Sequence, residues 1–268
     1  MNEINYISLG ADPELFIVNT KTDQVVSAVG MIPGEKGNPY TEGLPEGFGL
    51  ETDNILAEFN IPPVDDKNYF IENIVYMKNY IDRFVKKINP DLGIKCAASQ
   101  LVPESELQSK QAKEFGCSVD YNAYTKKANP KPNGNATNLR SAGLHLHFGY
   151  NHPNIDQSLL LIKYFDLCIG VPSVLKDHDT KRRSLYGKAG CFRLKKYGFE
   201  YRVLSSAMMN SISNIEFIWN QLSKAIRFYN DEVRLPSNSL VRDVINNSDI
   251  EMAERLIKEY ELCADCGE

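Results

Sequence analysis

A chain of 268 residues with 43% hydrophobic and 24% charged content can bury a sizeable core, as one large domain or two small ones. Its net charge of −5 argues against the overall basic field of a nucleic-acid binder. No run approaches the roughly 18 uninterrupted apolar residues of a membrane span. The start, Met1-Asn2-Glu3-Ile4-Asn5, lacks the basic and apolar regions of a secretory signal, so a cytoplasmic protein is expected. Six cysteines are too few for a disulfide framework in a chain this long. Cys96, Cys168 and Cys191 read as small core residues. Cys263 and Cys266 form one C-x-x-C near the end, more consistent with a frayed tail than with zinc.

In chain order, Tyr6 to Leu9 and Leu15 to Val18 read as β-structure around Asp12-Pro13-Glu14. The turn residues Thr20 to Asp23 precede a second β-rich run, Gln24 to Val29, giving a hairpin. Residues 30–50 contain six glycines and little periodicity, the pattern of a long loop. Leu50 to Phe59 contains another strand, closed by Asn60-Ile61-Pro62-Pro63. From Asp66 to Ile88 apolar residues recur at helical spacing, with an acidic cap and a stop at Asn89-Pro90. Ile94 to Val102 is a further β candidate, and 126–138 is a polar flap. Leu144 to Tyr150 alternates apolar residues with histidine. A helix is predicted from Asn154 to Gly170, a strand from Phe199 to Leu204, and helices over 215–229, 238–245 and 250–262. The expected class is α+β, a mainly antiparallel twisted sheet with helices on one side, in a single domain over 1–268 with a helical part from 206.

The chemistry lies in polar pairs two residues apart, which a strand sends to one face. Asp12 and Glu14 repel unless a cation sits with them; the plain alternative is two surface acids on an edge strand. Glu58 lies between Ala57 and Phe59, so it either faces water or has a specific partner. His145 and His147 suit a metal or an anion, or else decorate a solvated face. Glu200 and Arg202 stand in an apolar strand, where burying both is costly unless a charged ligand lies between them. From Lys181 to Arg193 the basic residues Arg182, Arg183, Lys188 and Arg193 alternate with small ones, fitting a loop around a polyphosphate or a solvated basic loop.

Taken together, Gly10 to Phe16, Asp53 to Pro62, Gly143 to Gly149 and Tyr186 to Ser205 resemble, in order, the ATP-dependent carboxylate–amine ligases of the glutamine synthetase/glutamate–cysteine ligase fold. The narrower resemblance is to the phage-type amidoligases, the COOH-NH2 ligase type 2 group. It implies a glutamine synthetase-like catalytic sheet, with Mg²⁺ or Mn²⁺ beneath the phosphates of ATP. It implies metal ligands at Asp12, Glu14, Glu58, His145 and Glu200, and nucleotide or phosphate contacts at His147, Arg182, Arg183, Lys188 and Arg193. Catalytic roles fall to Arg202, Arg193 and Glu200. One departure is Asp12, where the wider family has glutamate, a side chain one methylene longer.

The implied reaction phosphorylates a small-molecule or peptide carboxylate and lets an amine displace the phosphate. Neither nucleic acid nor membrane is expected as a partner, and a phage-encoded chain would work in the host cytoplasm. The 30–50 and 126–138 segments are the expected lids. A metal-dependent hydrolase or phosphotransferase, or a non-catalytic phage structural protein on a degenerate ligase fold, are the competing readings.

Overall fold

The computed structural model describes residues 3–113, 119–130 and 137–262. Its spine is strand β1 (Ile7–Asn19). Leu9, Ala11, Leu15 and Ile17 of β1 enter the main core, so the two-residue period turns Asp12 and Glu14 to the opposite face. Asn19 accepts hydrogen bonds from the amides of Lys21 and Thr22, closing the expected hairpin to β2. That partner is only Val25–Val26, shorter than the predicted 24–29.

The stretch from Leu50 to Phe59, expected to contain one strand, holds parts of two that form a hairpin, β3 (Gly49–Asp53) and β4 (Leu56–Val64). Asn54 makes the reversal with φ of 57°, a left-handed conformation asparagine tolerates. β4 runs on through Pro62 and Pro63 rather than stopping before them. Its register with β1 slips between Leu9 and Ala11, where Pro62 and Pro63 together oppose Gly10. This bulge removes the need for their missing N–H groups. A Cβ on Gly10 would stand 3.2 Å from the Ile61 carbonyl oxygen.

Helix α1 (Lys67–Ile88) follows as predicted. The Asp66 carboxylate caps it by accepting from the Asn68 and Tyr69 amides, and Phe70, Ile74, Met77, Ile81 and Val85 form its buried stripe. The predicted strand over Ile94 to Val102 is split into β5 (Leu92–Lys95), which pairs with β1, and β6 (Ser99–Leu101). A one-turn helix α2 (Lys110–Lys113) and strand β7 (Tyr121–Asn122) come next, then β8 (Leu139–Ser141), the partner of β6.

Strand β9 (Leu144–Tyr150) leads into α3 (Ile155–Phe165). The helix does not end at Gly170: Asp166–Gly170 is a π-helical turn that passes into α4 (Val171–Lys176). This helical run is long and apolar enough to cross a membrane, but 83% of its most apolar window is buried inside the protein. The basic stretch expected to be a loop begins with helix α5 (Arg182–Leu185) and ends in β10 (Cys191–Lys195), which turns back into β11 (Gly198–Tyr201). The predicted strand thus ends before Arg202. Helices α6 (Ile212–Asn230), α7 (Asn238–Asn247) and α8 (Ile250–Glu259) match the three predicted near the C-terminus. Cys263 and Cys266, and residues 131–136 of the expected flap, lie outside the described residues.

The main sheet runs β3-β4-β1-β9-β11-β10-β7, every pair antiparallel. The fold is mixed α/β, with Leu144, Leu146, Phe148, Phe199 and Tyr201 in one core with α1, α3 and α6 to α8. Phe148, Phe165 and Phe199 pack with ring centroids 5.0 to 5.3 Å apart, joining sheet to helices. The residues between these apolar ones face the other way, and they carry the site.

Candidate active site

Residues opposite one another on neighbouring strands share a face. Glu51 lies opposite Glu58, and Glu58 opposite Glu14. Asp12 lies opposite His145, His147 opposite Glu200, and Glu200 opposite Arg193. Five antiparallel pairings thus draw residues 12 to 200 into one band, acidic at the β3 end and basic at the β10 end.

At the acidic end one oxygen from each of Glu14, Asp53 and Glu58 lies within 4.8 Å of the others. Glu14 is buried, and its Oε2 accepts from the Gly143 amide at 2.5 Å. Asp53 meets the Lys36 ammonium at 2.6 Å, and Glu51 accepts from the Gly37 amide at 3.1 Å. Burial, and then the charges of Asp12, Glu14, Asp53 and Glu51, push the Glu58 carboxyl well above its usual range. An all-oxygen trio of this kind suits a hard divalent cation such as Mg²⁺, which would relieve the repulsion.

In the centre, Asp12, His147 and Glu200 form a second trio within 4.8 Å. His147 Nε2 is 3.0 Å from Asp12 Oδ1, while its Nδ1 is hydrogen-bonded to the Tyr197 hydroxyl. Burial alone would raise the Asp12 carboxyl, but the charge of His147 and hydrogen bonds from both histidines hold it far below the ordinary range. Burial would likewise lower His147; the Asp12 carboxylate outweighs it and raises the imidazole. His145 Nδ1 stands 3.5 Å from Asp12, 3.9 Å from Glu200 and 3.1 Å from Arg202. A mixed nitrogen and oxygen set suits a softer ion such as Mn²⁺ better than Mg²⁺, which takes oxygen ligands.

At the basic end Glu200 is surrounded by cations. Arg202 is hydrogen-bonded to it, Lys195 is 3.0 Å away and Arg193 3.5 Å. Burial would raise its carboxyl, but chiefly the Arg202 charge brings it down to about 2. Arg202 and Arg193 also share Asp120, at 2.8 and 3.2 Å. Guanidinium and ammonium groups outnumber carboxylates here, a balance that suits an anion. A narrow cavity of about 30 Å³ lies between the two ends, lined in part by Glu14, Asp53, His145, Arg140, Arg182 and Arg202.

The structure therefore brings together Asp12, Glu14, Glu58, His145, His147, Arg193, Glu200 and Arg202. Arg182 lines the space, although its guanidinium donates to the Val203 carbonyl at 2.8 Å. Arg183 is not among the lining residues: it donates to the Asp179 carbonyl and to Ser248 Oγ, tying α5 to the end of α7. Lys188 is exposed and also outside the lining. Asp53, Lys195, Asp120, Tyr197 and Lys36 were not foreseen. Lys195 had a signal, since it follows Arg193 by two residues on one strand. Asp120 and Tyr197 lie in a connection and a turn, where no periodicity marks a face.

The mixed α/β fold thus sets two carboxylate-containing trios beside clustered guanidinium groups on one face of its antiparallel sheet. Residues 134–240, less than half of the chain, match the family described as phage phiEco32-like COOH.NH2 ligase-type 2, which supports the amidoligase resemblance. That stretch carries both histidines, Arg193, Glu200 and Arg202; the acids of β1, β3 and β4 lie before it. No curated protein matches the chain. Among solved structures, the chain is similar to a bifunctional glutathione synthetase from Pasteurella multocida at 11% identity and a TM-score of 0.47. The match covers 96% of this chain and 47% of that one, so the chain spans about half the length of that structure.

Proposed function

We propose that the protein is an ATP-dependent carboxylate–amine ligase with a glutamine synthetase-like catalytic face, forming an amide through an acyl phosphate. The observation that carries this reading is the division of one sheet face into an acidic and a basic end. Phosphoryl transfer needs cations held by acids on one side of the phosphates and fixed positive charge on the other. Glu14, Asp53 and Glu58 are the residues to hold a divalent ion in the free protein; Asp12, His147 and Glu200 would hold another only when phosphates draw Lys195, Arg193 and Arg202 away from Glu200. Such ions would neutralise phosphate charge as the γ-phosphoryl group transfers.

The chain's own groups then divide the work. Arg193, Arg202 and Lys195 offer guanidinium and ammonium groups to the phosphoryl oxygens. The substrate carboxylate oxygen attacks the γ-phosphorus, the bond to ADP breaks, and ADP leaves. The amine nitrogen next attacks the acyl carbon, the carbon–oxygen bond to phosphate breaks, and the amine loses a proton. The segment 30–50 borders the acidic end, where it can limit access of water. The reading is tested by incubating the full chain with ATP, Mg²⁺ and a panel of amino acids and peptides. ADP and phosphate released only when carboxylate and amine are both present, with an amide product by mass spectrometry, is the expected result. Metal-dependent turnover without ATP would select a hydrolase instead, and failure to bind Mg-ATP in a thermal shift would select the non-catalytic reading.

A further inference from the structure

Residues 35–38 form a tight turn. The Asn38 amide donates to the Glu35 carbonyl at 2.8 Å and the Glu35 amide returns to the Asn38 carbonyl at 3.2 Å. Lys36 and Gly37 are its tip, and the tip touches both carboxylates on β3. Lys36 Nζ lies 2.6 Å from Asp53 Oδ2, and the Gly37 amide donates to Glu51 Oε2 at 3.1 Å. The turn is braced from behind. Tyr40 exchanges both backbone bonds with Leu50, at 2.8 and 3.0 Å, and the Thr52 amide donates to the Gly34 carbonyl at 3.2 Å. Gly34, with φ of 85°, sits so close that a Cβ would stand 2.2 Å from the Leu50 carbonyl oxygen. The braces named are all backbone bonds, and the Lys36 side chain is 44% exposed.

Asp53 is also one of the three acids whose oxygens converge with Glu14 and Glu58. We propose that Lys36 is a tethered cation that occupies the edge of the Glu14–Asp53–Glu58 trio and must be displaced when a divalent cation binds there. The proposal rests on the reading of that trio as a cation site. Its physical basis is that one carboxylate cannot serve an ammonium and a divalent ion at close range without strong repulsion between them. The lysine relieves the repulsion among the acids in the ion-free protein and competes with the incoming ion. A monovalent ion adds no more charge than the lysine already supplies, so the device favours divalent ions.

The test is Mn²⁺ binding to the full chain without nucleotide, followed by calorimetry and by electron paramagnetic resonance of free Mn²⁺. Lys36→Met is expected to bind Mn²⁺ about three- to tenfold more tightly than wild type, a gain on the scale of a half-exposed ion pair, and Lys36→Arg is expected to stay near wild type. Thermal unfolding of each variant checks that the fold is kept. Equal or weaker binding in Lys36→Met, with Asp53→Asn still abolishing it, overturns the role of Lys36 and leaves the cation site standing. Binding unchanged in Asp53→Asn, or no binding in any variant, overturns the cation site and the proposal together.

Discussion

Glu58 shows at the scale of one side chain why the site reads as functional. A glutamate placed opposite two others, with Asp12 and Asp53 near, opposes folding, because its charged form loses water and meets like charge. Glu58→Gln keeps the shape and removes one charge. It should stabilise the ion-free protein, raising Tm by about 2 °C for roughly 1 kcal/mol in a chain of this size. It should also abolish the further rise in Tm that Mg²⁺ or Mn²⁺ gives wild type. Differential scanning calorimetry with and without the ion reads both; a lower Tm in the ion-free variant would mean that Glu58 is held by structural bonds instead. The sequence made this residue legible through its apolar neighbours. Its partner Asp53 stayed hidden because a single strand from 50 to 59 puts positions 53 and 58 on opposite faces. The reversal at Asn54 turns them to the same one, and the left-handed tolerance of asparagine was the overlooked signal.

At the scale of elements, strands with polar residues two apart and long amphipathic helices were readable, because each shows its period within its own residues. What could not be read was where pairing begins and ends, since that depends on strands distant in sequence. The β10–β11 hairpin is the sharpest case. Lys196 and Tyr197 form its turn, and Gly198 follows with φ of 149°. A Cβ there would stand 2.2 Å from the Phe148 carbonyl oxygen. The Tyr197 carbonyl meanwhile accepts from the Tyr150 amide at 3.1 Å, fixing the turn against β9. Gly198→Ala should therefore cost about 2–3 kcal/mol in urea unfolding, from backbone strain and a clash that only movement of β9 relieves. The same shift would disturb the Tyr197–His147 hydrogen bond. A loss below about 0.5 kcal/mol would show that the hairpin does not press on β9 as described.

Across the whole molecule, helices, sheet and the 119–130 segment meet at Asp166. It lies fully buried in the π-helical turn between α3 and α4, accepting from the Tyr201 hydroxyl at 2.8 Å, with Tyr124 also turned toward it. Tyr201 comes from the core face of β11, directly behind the site. Burial pushes the Asp166 carboxyl from 3.8 to about 7, more than the hydrogen bonds bring it down. Between those two values the folded protein holds a proton that the unfolded chain has released. Stability from this group is therefore fully present below about pH 4, falls as pH rises toward 7, and levels off above it. Asp166→Asn keeps an acceptor for Tyr201 and cannot ionise. Measured by urea unfolding, it should match wild type at pH 4.5 to within about 1 kcal/mol and exceed it by a few kcal/mol, as an order of magnitude, at pH 8. Because Tyr201 neighbours Glu200 and Arg202 in sequence, the charging of Asp166 would loosen the strand that carries the basic end of the site. Wild type should then show faster amide exchange along β11 at pH 8 than the variant does. Equal stability of the two proteins at pH 8, or equal exchange along β11, would show that the buried carboxyl is already ionised and fully accommodated by the fold.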